Sequence, residues 1–222
     1  MRYYPAFLDL HGKKVLIVGG GAVAQRKIET LFEYGAVIEV AARDLTPALK
    51  EFETEGRIRF VGSEFHEDQM DRAFLVIAAT DDPEMNRKVS LAAGERNIPV
   101  NAVDQPSDCT FLVPSILRRG DLVIAVSTSG KSPALARRLR EQLEGMFGEE
   151  YRAYVQLMGE VRENVLSGDY PPERKGEILR ELIDSDLLDA IRLGDRSRAA
   201  STLKRILRTD LNEEIRELIQ NI

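Results

Sequence analysis

The chain is poor in the residues that staple or ligate. One cysteine, Cys109, in 222 residues excludes an internal disulfide framework and fits a reducing compartment. Ordinary cysteine behaviour makes it a half-buried thiol. Two histidines, His11 and His66, stand far apart with no cysteine or acidic cluster at ligand spacing, so both read as surface residues and no metal ligands are assigned. No apolar run approaches the roughly 20 residues that cross a bilayer. The start "MRYYPAFLDLHGKK" has no basic segment leading into an apolar one, so no leader is expected and the cytoplasm is the expected location. A net charge of -6 removes any broad basic face and disfavours a nucleic-acid role, leaving small-molecule chemistry as the better expectation. There is no low-complexity stretch and no convincing internal repeat.

What is present is ordinary for a soluble globular protein, with 43% hydrophobic and 31% charged residues, and the length favours two folding units. "KKVLIVG" is apolar without alternation, the pattern of a strand covered on both faces of a parallel sheet. "AVAQRKIETLFEYG" follows as a helix with Ala24, Ile28 and Leu31 on one face and Gly35 at its close. The alternation continues through the strand "AVIEVAA", a helix capped by Thr46 with Pro47 in its first turn, and the strands "RIRFVGS" and "FLVIAAT". A helix ending near Gly94 and the strand "IPVNAV" complete it. This rhythm predicts an α/β fold with a Rossmann-like, doubly wound parallel sheet. Past about residue 110 it breaks: "TFLVPSILRRGDLVIAVST" reads as a hairpin turning at "RRGD". A helix capped by Ser132 then starts at Pro133, with Leu135, Leu139, Leu143 and Met146 sharing a face. From Tyr151 onward the segments "PPERKGEILRELI", "SDLLDAIRLG", "RSRAASTLKRIL" and "DLNEEIRELIQNI" predict a string of amphipathic helices, Asp210 and Glu213 being spaced as a capping box.

The stretch "VLIVGGGAVAQRK" puts Gly19, Gly21 and Ala24 into G-x-G-x-x-A between the first strand and first helix. Gly19 permits the tight turn, Gly21 lets a pyrophosphate approach the backbone, and Ala24 allows close helix packing. The amides at the helix start, around Ala22 and Val23, would hold the phosphates. At the end of the second strand, Asp44 suits ribose hydroxyls whereas Arg43 suits a 2′-phosphate, so NAD and NADP both remain open. Thr80, Asp81 and Asp82 follow the fourth strand on the same rim and are candidates for the dinucleotide site, helix capping being the plain alternative for the two aspartates. Asn101 lies at the carboxyl end of the last parallel strand, where open sheets place ligands. Ala125 to Ser132, "AVSTSGKS", nearly matches a phosphate-binding P-loop and raises a nucleotide hydrolase using Lys131 as an alternative. No parallel strand or magnesium-holding aspartate is read downstream. A non-catalytic NAD sensor is a third reading.

Four stretches, "LIVGGGAVAQRK", "VIAATDDPEMN", "VNAVDQPSDCTFLVPS" and "VIAVSTSGKSPALARRLRE", together resemble the siroheme synthase family, specifically over about the first 150 residues. A chain of this length resembles the stand-alone precorrin-2 dehydrogenase rather than the form fused to a methyltransferase. The resemblance implies NAD-dependent oxidation of precorrin-2 to sirohydrochlorin by a homodimer. It divides the chain into an NAD-binding domain (1–112), a dimerisation segment (113–149) and a C-terminal helical domain (150–222). It implies Asp104 as the catalytic residue, and a general base suits a reaction that sends a hydride to a nicotinamide and a proton elsewhere. A turn-capping Asp104 ahead of Pro106 is the structural alternative. Asp108 reads as the residue that opens the hairpin. Asn101 would contact the tetrapyrrole or the nicotinamide. The loop bearing Thr128, Ser129 and Lys131 suits the carboxylates of precorrin-2, Arg137 and Arg138 being further candidates. Thr128 matches a phosphorylatable serine of the fused relatives, and phosphorylation does not carry over with the threonine. Some members also insert ferrous iron into sirohydrochlorin, a transient partner that this sequence leaves open.

Overall fold

The structure, a computed structural model, describes residues 3–222, which form two compact units. The first extends through Val113 and takes in Ser129–Lys131; the second comprises Pro114–Thr128 and Ser132–Ile222.

In the first unit strand and helix alternate. β1 (Lys14–Val18), β2 (Val37–Ala41), β3 (Ile58–Gly62), β4 (Leu75–Ala78) and β5 (Val100–Ala102) form one sheet in the order β3-β2-β1-β4-β5, with every pairing parallel. α1 (Ala22–Phe32), α2 (Pro47–Thr54) and α3 (Pro83–Glu95) connect them, and a 3-10 turn at Glu67–Met70 takes the helix place between β3 and β4. The chain runs outward from β1 to β3 and then returns to β4 on the other side. The carboxyl ends of β1 and β4 therefore flank the point where strand order reverses, which is where such sheets open a crevice.

β1 lacks alternation because both its faces are covered. Val15 and Ile17 pack with Ala24, Ile28 and Leu31 of α1 and Leu49 of α2, whereas Leu16 and Val18 pack with Val89, Ala92 and Ala93 of α3. The expected ends are built as read: the Thr46 hydroxyl accepts from the Leu49 amide, and Gly35 turns α1 off with φ +65°. α3 runs one residue past Gly94, and its reversal falls to Asn97 at φ +56°. Within the sheet, Glu39 is buried in β2 but paired, with Lys14 at 2.8 Å and with Arg59, which removes the large cost of an isolated buried charge.

In the second unit β6 (Ser115–Arg119) and β7 (Leu122–Val126) pair only with each other, antiparallel, across a turn where Gly120 has φ +59°. This overturns the P-loop alternative. The strand before "STSGKS" is not part of a parallel sheet, and α4 (Pro133–Met146) is followed by helices alone. α4 is capped as expected, Ser132 accepting from the Leu135 amide. Its apolar face stays exposed in this chain, with Leu135, Leu139 and Met146 at 47%, 38% and 65%.

α5 (Glu150–Ser167), α6 (Pro172–Ile183), α7 (Leu187–Arg192), α8 (Arg196–Leu207) and α9 (Glu213–Gln220) close around a core that includes Leu157, Val161, Ile178, Leu182, Leu203 and Ile215. α5 is the longest helix among the described residues, yet its segment does not stand out in the sequence. Its buried Leu157, Val161 and Val165 keep four-residue spacing, diluted by Gly159 and by charges on the outer face. None of the described helices is long and apolar enough to cross a membrane. The capping box is corrected: α9 begins at Glu213, so that glutamate cannot reach back from the third helical position. The cap is Asn212, whose Oδ1 accepts from the Ile215 amide at 2.9 Å, and Asp210 instead faces Lys204 at 3.6 Å. Replacing Asn212 by Ala should therefore cost about 1 kcal/mol in a urea unfolding experiment, whereas Asp210→Ala should stay within about 0.5 kcal/mol. Equal losses would return the cap to Asp210.

Candidate active site

The glycine loop is shaped by contacts on two of its three glycines. Gly19 has φ +122°, and a Cβ there would lie 2.2 Å from the Ala79 carbonyl oxygen at the end of β4. Gly20, to which the motif assigns no duty, is as constrained: a Cβ would meet the Asp44 carbonyl oxygen at 2.1 Å. Gly21 is the N-cap of α1, in extended conformation, with nothing within 4 Å of where a Cβ would stand. The loop thus fills two sides with protein and leaves the third open, directly over the unpaired amides of the first turn, where Ala22 is exposed and Val23 half-buried. No acidic side chain occupies that first turn, so its partial positive charge is uncompensated. These features fit a dinucleotide pyrophosphate. Ala24 is fully buried against β1, as close helix packing requires.

Beyond β2, Ala42 is buried under Gly20, whereas Arg43 and Asp44 are both exposed. The Thr46 amide donates to the Gly20 carbonyl at 3.0 Å, and the Thr46 hydroxyl to Gln25 of α1 at 2.8 Å, tying this loop to the glycine turn. On the far side of the crevice, Thr80 is held by Asn86, a buried residue that sequence reasoning does not single out. The Asn86 Oδ1 accepts from the Thr80 amide at 3.1 Å and hydroxyl at 2.8 Å, and its Nδ2 donates back to the Thr80 carbonyl at 3.1 Å. Asp82 is the cap of α3, accepting from the Glu84 and Met85 amides, while Asp81 is exposed at the rim.

The end of β5 carries a polar cluster. Asn101 is buried, and its Nδ2 donates to the Phe111 carbonyl at 3.2 Å, with the Cys109 Sγ at 3.6 Å. Its Oδ1 accepts from Lys27 Nζ of α1 at 3.3 Å. Cys109 is buried outright rather than half-buried. Its sulfur accepts from the Ala102 amide at 3.2 Å, and its S–H is within reach of the Ala102 and Gln105 carbonyls. Burial pushes the thiol above its ordinary value, against the pull of the Ala102 backbone hydrogen bond. Burial lowers the Lys27 ammonium, with Arg26 acting in the same sense, while Cys109 and Asp104 favour its charged form. Asp104 is exposed two residues beyond β5, in left-handed backbone at φ +59°, a strained conformation for a residue with a side chain. Asp108 does not open the hairpin. It ends a 3-10 turn at Pro106–Asp108, and its carbonyl accepts from the Ser90 hydroxyl, because the chain must first pass back along β5.

Thr128 and its neighbours sit before α4. The Thr128 hydroxyl accepts from the Ser132 amide at 2.9 Å; Ser129 is left-handed at φ +54°, and Lys131 is exposed. Arg137 is exposed and paired with Glu141 at 2.9 Å along α4, and Arg138 is exposed. His66 caps the 3-10 turn that begins at Glu67, and the ring of His11 lies against Gly35. Among the described residues no group of three or more His, Cys, Asp or Glu side chains is assembled to hold a metal ion.

Comparison with known proteins places this geometry. A family described as "Putative NAD(P)-binding" matches residues 6–115, and one described as "Sirohaem biosynthesis protein central" matches residues 119–146. The siroheme synthase of Methylobacillus flagellatus is 47% identical over 165 residues, 74% of this chain and 35% of the relative. That of Gluconobacter oxydans is 41% identical over 211 residues, 92% of this chain and 44% of the relative. The chain therefore spans less than half the length of these two relatives. A solved structure of SirC, a precorrin-2 dehydrogenase, superposes with a TM-score of 0.76 at 32% identity, covering 93% of this chain and all of that one. The chain belongs to the siroheme synthase and precorrin-2 dehydrogenase family. For this family member a nicotinamide cofactor follows, and the open side of the glycine turn is where its residues fit one.

The raised Cys109 thiol makes a stability prediction. The folded state keeps its proton to higher pH than the unfolded chain, so the contribution is complete below the ordinary thiol pKa and is lost as pH rises through the raised value. The lowered Lys27 works in the opposite sense at higher pH and is present in both wild type and Cys109→Ser. The stability difference between wild type and Cys109→Ser should be constant below about pH 8 and shrink as the pH rises above the ordinary thiol value. A difference that does not change across this range would contradict the assignment.

Proposed function

We propose that the chain oxidises precorrin-2 to sirohydrochlorin with NAD as the acceptor. The observation that carries the reading is the exposed Asp104 carboxylate, presented in strained backbone at the carboxyl end of β5, in the same unit as a glycine loop open on its phosphate side. The amides of Ala22 and Val23 receive the pyrophosphate where Gly21 leaves room. Asp44 takes the ribose hydroxyls in NAD, and Arg43 beside it is the residue that would accept a 2′-phosphate. Thr80, fixed by Asn86, and Asp81 line the opposite wall. Bound nicotinamide supplies the hydride acceptor. Asp104 receives the proton that leaves the macrocycle as the hydride departs, and its exposed position lets it pass that proton to solvent afterwards. Asn101, Ser129 and Lys131 offer donors to the carboxylates of the tetrapyrrole. A second copy of the chain covers the exposed leucine and methionine face of α4, giving the homodimer.

The test is anaerobic incubation with precorrin-2 and either NAD or NADP, followed by the absorbance of sirohydrochlorin. Asp104→Asn should lower kcat by about 10²-fold or more while dinucleotide affinity stays within about twofold. Gly21→Ala should weaken dinucleotide binding without lowering the unfolding midpoint, since its Cβ enters open space. Retained turnover in Asp104→Asn removes that residue from the reaction, and tight dinucleotide binding without any tetrapyrrole oxidation turns the chain into a sensor.

A further inference from the structure

Asp104 stands in left-handed backbone, and its own side chain does nothing to hold it there, since among the described residues the carboxylate accepts no hydrogen bond. The turn it occupies runs from Ala102 to Gln105, closed by the Gln105 amide on the Ala102 carbonyl at 3.4 Å. That bond is long. A third turn position at φ +59° favours glycine or asparagine, so the conformation needs support from outside the turn.

Gln105 supplies it. Its carbonyl accepts from the Asp108 amide at 3.0 Å and lies 3.3 Å from the Cys109 sulfur, which binds the turn to the 3-10 turn that follows. Its side chain reaches further. Nε2 donates to the Pro83 carbonyl at 3.0 Å, crossing from the end of β5 to the first residue of α3. A carbonyl only accepts, so the amide nitrogen is the end at Pro83 and the oxygen is turned inward. There Oε1 is buried without a hydrogen-bond partner, which costs stability. A methionine would fill nearly the same space without that cost. What glutamine adds is the donor.

Pro83 is a fixed point. Asp82 caps the helix there, the Thr80 hydroxyl accepts from the Asp82 amide at 3.2 Å, and Asn86 of the same helix brackets Thr80. The anchor of Gln105 is therefore continuous with the wall proposed for the dinucleotide. Ser90, also on α3, holds the far end of the β5 return at the Asp108 carbonyl, and Gln105 holds the end nearer Asp104.

We infer that Gln105 is a positioning residue for the oxidation: its side chain hangs the Asp104 turn on the start of α3, so that the proton acceptor and the dinucleotide wall share one support. The inference rests on the proposed reaction, in which precorrin-2 transfers two electrons and one proton to the dinucleotide as hydride and a second proton to Asp104. Both transfers leave one macrocycle, so the two acceptors must keep a fixed separation. Gln105 itself exchanges no proton.

Gln105→Met removes the donor and the unpaired oxygen together. It should lower kcat by about tenfold or more, keep the KM for the dinucleotide within about twofold, and leave the urea midpoint at or above that of wild type. In an Asp104→Asn background the same replacement should change kcat less than about twofold, because no carboxylate is left to position. The direct readout is NMR on the whole chain without dinucleotide. The strong intraresidue cross-peak between the amide and Hα protons of Asp104, which positive φ produces, should weaken in Gln105→Met. Gln105→Glu, a carboxylate that also lacks the donor, serves if the methionine variant fails to fold. An unchanged cross-peak, an unchanged kcat, a midpoint that falls with the rate or an equal loss in both backgrounds overturns the inference. A wild-type protein that oxidises no precorrin-2 with NAD or NADP overturns the proposed reaction instead, and the cross-peak still decides whether Gln105 holds the turn.

Discussion

A side chain on Gly19 would stand 2.2 Å from the Ala79 carbonyl oxygen, and one on Gly20 2.1 Å from that of Asp44. The backbone leaving β1 is thus wedged between the end of β4 and the loop after β2. Two hydrogen bonds hold it there, from the Gly19 amide to the Ala41 carbonyl at 2.8 Å and from the Thr46 amide to the Gly20 carbonyl at 3.0 Å. This wedge sets where α1 begins. Because the helix starts against the carboxyl end of the sheet and not after a looser loop, its first amides lie at that end, and its second turn buries Ile28 against the sheet beside Lys27, which reaches β5. A looser connection would satisfy chain continuity equally well and would place neither group.

The second unit solves a different problem. Two antiparallel strands alone are marginally stable in water, so β6 and β7 need support. The Arg119 guanidinium supplies part of it, its Nε donating to the Phe147 carbonyl at 3.1 Å and lying 3.3 Å from Glu149, and so fastens the hairpin to the junction of α4 and α5. Leu117 and Ala136 are buried there, whereas the opposite side of α4 remains open. The helical tail has its own apolar core, which spares it dependence on the hairpin for burial.

Apolar runs and caps carried most of the fold in the sequence, because a doubly covered strand and a Pro-started helix have patterns that few other structures share. The parallel strands, Thr46, Ser132 and the glycine turn were readable in this way. Burial of an apolar stripe is a local property, but pairing at the rim is not. Asn86 matters because its amide brackets Thr80 from six residues away, and Lys27 because α1 brings it over a residue 74 positions later. Neither distance has a periodicity to reveal it. Gly20 was hidden for another reason: the motif marks the glycines that serve the ligand, and Gly20 serves the neighbouring loop. The misplaced cap of α9 shows the reverse risk, since Asp210 and Glu213 have the right spacing while Asn212, nearer the helix, wins by geometry.

The edge at β5 explains why polar groups can gather there at all. Val100 and Ala102 join the α3 layer, and Asn101 faces the α1 layer instead. A further crossover would bring an apolar helix over that face, and no buried asparagine would then be tolerated without loss. Here the chain doubles back. The Thr110 amide donates to the Val100 carbonyl at 2.9 Å and its hydroxyl accepts from the Val100 amide at 2.8 Å, so three residues close the edge in place of a strand. This return brings Cys109 and the Phe111 carbonyl to the Nδ2 end of the Asn101 amide, leaves its Oδ1 to Lys27 of α1, and stops short of covering Lys27 and Asp104. The sheet therefore ends in a surface that is ordered by hydrogen bonds yet leaves Asp104 exposed, which is the combination its proposed role requires.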